Sequence, residues 1–295
     1  MDKLFNGYPD LNGFLENESD IDCIKDCFSC NERRCPVQYD FKEELFKEKR
    51  FETVELEKIK KEEDPIKKLL LGREADKKHK LWHVENCKLA KAIYCVLWGW
   101  HGDVTQWPFR LNADVMNSFK TTYNAYQKIK IENGENELDY SQLVMFAKMT
   151  HTIGNFTIIP FYVEFEPGDG LKSFNFHRGT NKGPIQDYWD ISLQVLKCFF
   201  ERKYPGAGFF KEYADTFFHT KESLNIEPYI DDNYNIIPLF TRKSGSICPQ
   251  PSPQPESPKE MNEFLINVNT RILSRSKIMV KKLRKKYKLY CDSLF

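Results

Sequence analysis

From Glu260 to about Tyr290 the sequence keeps a single period, and that constrains the fold more than any other feature. Leu265, Val268, Ile272, Met279, Leu283 and Tyr287 recur at helical spacing. Between them stand Arg271, Arg275, Lys277, Lys281, Lys282, Arg284, Lys285, Lys286 and Lys288, with no acidic residue from 271 to 288. The pattern predicts one long basic helix with an apolar face. Two readings follow. The helix can track phosphates or another anionic surface, with Arg275, Lys281, Lys282, Arg284 and Lys285 as the nucleic-acid candidates. Alternatively it docks on the domain and shows water its charged side.

The rest of the chain is also patterned for helices. Residues 41–71 are rich in Glu and Lys with a broken apolar stripe, interrupted at Asp64-Pro65. Helical spacing continues from Asp76 to Trp98 and again over 187–202, with a further helix over 209–218. Asn112 or Asp114 is placed to cap a helix from about Val115 to Lys130, and Asn133-Gly134 marks the turn after it. Ser141 opens a helix expected to reach Ile153, with Gly154 as a left-handed stop. Phe156–Ile159 before Pro160 is the best strand. Residues 164–186 read as a long polar loop.

The expected architecture is therefore mainly α. It comprises an irregular Cys-containing segment (1–40), a helical core domain with a small strand component (41–243), a Pro-rich linker or surface loop (244–259) and the basic C-terminal helix (260–295). The linker holds five Pro in the eleven positions from Cys248 to Pro258.

Composition narrows the class. Hydrophobic residues are 41% of the chain and include 23 Phe, too apolar for a disordered protein. Net charge is +1, so any attraction to a polyanion has to be local. No apolar run approaches the ~18–20 residues of a membrane span, and no signal peptide is visible at the N-terminus. Nine Cys, an odd number, fit a reducing compartment better than a disulfide framework. The expectation is a soluble cytoplasmic protein.

Two clusters can carry chemistry. Cys23, Cys27, Cys30 and Cys35 place four thiols within a short loop, enough to close a tetrahedral zinc site. Their first three reproduce the C-x3-C-x2-C spacing of radical iron–sulfur enzymes, and free thiols are the other reading. Around the long loop stand His151, Asn155, Arg178, Asn181, Lys182, Asp187 and Asp190. If the helix before Gly154 packs beside the helix after Asp187, these groups line one pocket for an anionic ligand, with Arg178 as the planar fork. Structural roles compete: Asp187 as a cap, Gly154 as a stop, Arg178 as an ion-pair partner. Walker A, G-x-G-x-x-G, G-x-S-x-G and H-E-x-x-H motifs are all absent, and whether the chain is an enzyme stays open.

The strings HTIGNFTIIP (151–160), RGTN (178–181), IQDYWDISLQVLK (185–197) and YIDDNYNIIPLF (229–240) resemble, in order, an uncharacterised bacterial family, a domain of unknown function. The resemblance spans roughly residues 80–285 and implies no activity. Residues 151–159 are also similar to the H-T-L-G-N-L-T-L-L segment of HNH-type nucleases found in modification-dependent restriction enzymes. That similarity implies a metal held among His151, Asn155, His177, Asn181 and Asp187. The Asp-His-Ile strand that supplies the base in those enzymes is missing upstream. Three functions stand: a protein that binds an anionic ligand or nucleic acid through the polar loop and basic helix, a metal-dependent nuclease or hydrolase, and a structural interaction protein.

Overall fold

The computed structural model describes residues 58–59, 61–79, 97, 111–134, 137–150, 152–160, 162–164, 173–175, 187–200, 224–242 and 254–292. Over these the fold is mainly helical, with two short sheets. Local chemistry sets each helix start. Pro65 opens α1 (Pro65–His79), where its missing N–H costs nothing. Asp64 Oδ1 accepts from the N–H groups of Ile66 (2.9 Å) and Lys67 (3.3 Å), so the expected break at Asp64-Pro65 is a capped helix start.

Strand β1 (Leu111–Val115) comes next, then α2 (Phe119–Asn133). The expected helix from Val115 begins later, because residues 111–115 pair antiparallel with β2 (Phe156–Pro160), Leu111 facing Pro160 and Val115 facing Phe156. Sheet pairing with a segment distant in sequence overrides local capping preference. The cap passes from Asn112 or Asp114 to Ser118, whose Oγ accepts from Thr121 N. Gly134, at φ 86°, closes α2 and donates to Lys130 O.

Helix α3 (Tyr140–Met149) is capped by Asp139, which accepts from the N–H groups of Ser141 (3.0 Å) and Gln142 (3.3 Å) and from Ser141 Oγ. These bonds, the Ser141 hydroxyl first, hold its carboxyl below the usual range. The helix stops at Met149 rather than near Ile153, and Ile153–Asn155 forms a separate 3-10 turn. Strands β3 (Tyr162–Glu164) and β4 (Ser173–Asn175) make a second antiparallel pair, so part of the expected loop 164–186 is sheet. Helix α4 spans Trp189–Phe200.

The longest element among the described residues is α5, Pro258–Asp292, roughly 52 Å long at 1.5 Å per residue. Ser257 and Glu260 build its start: Ser257 Oγ accepts from Glu260 N, and Glu260 Oε2 accepts from Glu256 N. The helix packs on α3, α2, the Ile153–Asn155 turn and a 3-10 turn at Glu227–Tyr229. Met261, Phe264, Leu265, Val268, Ile272 and Met279 have no exposed surface. Phe264 lies 5.1 Å from Tyr188 and 6.1 Å from both Phe146 and Phe240, ring centre to ring centre. The basic helix is thus the axis of the core. No helix among the described residues is long and apolar enough to cross a membrane.

Candidate functional site

Of the seven residues expected to line the pocket, Asn155 and Asp190 are buried, in two polar clusters that adjoin at Trp189 and Asp190. Asn155 is the last residue of the 3-10 turn, directly before β2, and is wholly buried. Its Oδ1 accepts from Asn117 N (3.0 Å) and Asn117 Nδ2 (3.1 Å), while its Nδ2 donates to Asn117 O (3.1 Å) and Thr150 O (2.9 Å). An amide offers two acceptor and two donor positions, and all four are filled. Asn117 passes the link onward, its Oδ1 accepting from Trp189 N (3.0 Å). Ser118 N donates to Asp187 O (2.8 Å). The clasp thereby joins the end of β1 to the start of β2 and of α4.

Asp190, 2% exposed, sits in the first turn of α4. Its carboxylate accepts from Leu239 N (2.8 Å) and takes both terminal nitrogens of Arg242, at 2.5 and 3.2 Å. The guanidinium lies 4.2 Å above the Phe240 ring. A forked pair with aromatic cover is a strong anchor, and here it fastens residues 239–242 to α4. Asp190 is engaged internally.

The same economy governs α5. Arg275 has no exposed surface, and its nitrogens donate to the carbonyls of Leu224, Asn225, Gly154 and Phe156. The expectation of Arg275 as a nucleic-acid contact is corrected: it falls on the apolar face, between Ile272 and Met279, and its charge is spent on main-chain carbonyls. Ser276 Oγ accepts from Gly154 N at 3.1 Å. A Cβ on Gly154 would collide with the carbonyl oxygen of Ile272 and with Ser276 Oγ. Close approach to α5, not a left-handed turn, requires glycine there, since Gly134 is the positive-φ glycine among the described residues.

Arg271 donates to Ile237 O (2.6 Å) and Pro238 O (2.7 Å) and lies over Tyr229. Desolvation draws its pKa below the usual arginine value. Burial pushes the Tyr229 hydroxyl up to about 12 and raises that of Tyr188 further. Lys282, another expected nucleic-acid contact, reaches Asn225 Oδ1 (2.9 Å) and Glu227 Oε1 (2.8 Å) and is tied back to the domain. Lys286 donates to Leu97 O.

What remains outward is a row. Lys277, Lys281 and Lys285 are all exposed, at four-residue spacing. At about 100° per residue, Lys281 points about 180° away from the buried Ile272.

His151, Arg178, Asn181, Lys182, His177, the Arg284 side chain and the four N-terminal cysteines lie outside the described residues. Asp187 is half-buried. No group of three or more metal-ligating side chains occurs among the described residues.

Asn117, Arg242, Arg271 and Ser276 escaped sequence reasoning. Arg271 and Arg275 left a signal, because they stand at positions that the apolar period of α5 assigns to the interior. Asn117 and Arg242 left none, since their partners lie 38 and 52 residues away. The fold and these clusters define a helical protein built around one long basic helix. The chain matches no family profile, no curated protein and no solved structure.

Proposed function

We propose that the protein binds an anionic polymer through the outer face of α5. One observation carries the reading: the helix sorts its cations. Arg271, Arg275 and Lys282 are turned inward onto carbonyls or a carboxylate, while Lys277, Lys281 and Lys285 face water. The three lysines of the row are about 6 Å apart along the axis, inside the ~8 Å screening length at physiological salt, so their fields add. A chain of net charge +1 offers no global attraction, and a local row supplies what the whole molecule lacks. The filled hydrogen-bond positions of Asn155 and Asp190 favour a surface over a pocket built on those two groups.

The test uses the full chain on immobilised heparin at 50 mM salt. Wild type is expected to be retained. The Lys277→Gln, Lys281→Gln, Lys285→Gln triple variant is expected to flow through with an unchanged melting temperature, since surface substitutions of this kind shift stability by only about 0.5 kcal/mol. Equal retention of the two proteins would sink the reading.

A further inference from the structure

Resting on that reading, we infer that the polymer is double-stranded nucleic acid, held by the phosphates of one strand without sequence selection. The row spans about 12 Å in two steps of about 6 Å, comparable to the separation of successive phosphates along a strand, on the order of 6–7 Å. A rigid helix holds that spacing without a backbone ordering cost at the moment of contact.

The chemistry of the face narrows the partner. Base edges in the major groove are read best by planar forks and amides, and Arg271, Arg275 and Asn269 all face the interior. Lysine offers a point charge, which suits a phosphate and distinguishes no base. Single strands are held on aromatic platforms, and the exposed side chains described on α5 (Lys259, Ile266, Thr270, Lys277, Lys281, Lys285 and Lys286) include no aromatic residue. A membrane surface would draw on an apolar face. That face of α5 is committed to the core, with Met279, Val280 and Leu283 at most 2% exposed. A duplex backbone is the occupant that fits charge, spacing and side-chain type together.

Fluorescence anisotropy of the full chain tests this with two unrelated duplexes of about 24 base pairs, their single strands, and phosphatidylserine vesicles. Three phosphate contacts give an expected slope of log K against log [salt] of about −2.7, a loss of roughly 40-fold between 50 and 200 mM. Lys281→Gln should reduce the slope by about 0.9, and the two duplexes should agree within about twofold. Tighter binding of a single strand, a preference above tenfold between duplexes, a slope unmoved in Lys281→Gln, or binding to vesicles alone would each overturn the inference. Heparin retention that depends on the row, with no duplex bound, would remove the duplex and leave the anionic-polymer reading intact. Loss of both would remove both.

Discussion

A guanidinium with no exposed surface has to exchange every hydrogen bond to water for one to protein. Arg275 does so on the carbonyls of Gly154, Phe156, Leu224 and Asn225, which belong to segments about 70 residues apart in sequence. One side chain therefore stitches the start of β2 to the segment before the Glu227–Tyr229 turn. Replacing it with Met keeps much of the volume but leaves those carbonyls short of donors. Arg275→Met is expected to lower stability by about 3 kcal/mol or more, read from urea unfolding, whereas Lys281→Ala should stay within about 0.5 kcal/mol. Similar losses for the two variants would contradict the sorting of cations described above.

Among elements, the Asn117–Asn155 clasp is the most closed unit. Each residue fills positions on the other, so their substitutions should not add. A double-mutant cycle with Asn117→Ala and Asn155→Ala is expected to show a coupling of about 1–3 kcal/mol, and additive losses would mean that the two act separately. This scale also shows what a sequence can and cannot reveal. The helices with a clean period (α4, α5) and the Phe156–Pro160 strand were legible to within a few residues, because local pattern and burial agree there. The start of α2 was not, since β1 owes its conformation to β2. Likewise Asn155 and Asp190 stood out among the polar residues around the long loop. That they face Asn117 and Arg242, and are consumed by them, is tertiary information. The basic run was plain in the sequence. Which of its charges reach water depended on the phase of the helix against the core.

For the whole molecule, two buried phenols give a pH signature. Tyr229 ionises near 12 in the fold against about 10 unfolded, and Tyr188 is raised as well, in both cases chiefly by burial. A raised phenol contributes stability that is fully present below about pH 10 and is lost as pH climbs through the folded value. Two units correspond to about 2–3 kcal/mol for Tyr229. The urea midpoint is expected to hold from pH 7 to 9 and to fall between 10 and 12, with a shallower fall in Tyr229→Phe. A midpoint flat to pH 12 would mean that the hydroxyl is hydrated. Asp139 works in the opposite direction: its lowered carboxyl adds stability above the ordinary carboxylate range that is lost in acid.

The placement of α5 bears on the order in which the chain can become a folded object. Synthesis proceeds from the amino end, so β1, β2, α2 and α3 leave the ribosome before Pro258–Asp292 exists. Until then Gly154 has no Ser276 hydroxyl to meet, and the Phe146 and Tyr188 rings have no Phe264 between them. A growing chain must hold these surfaces unfinished until its keystone helix arrives.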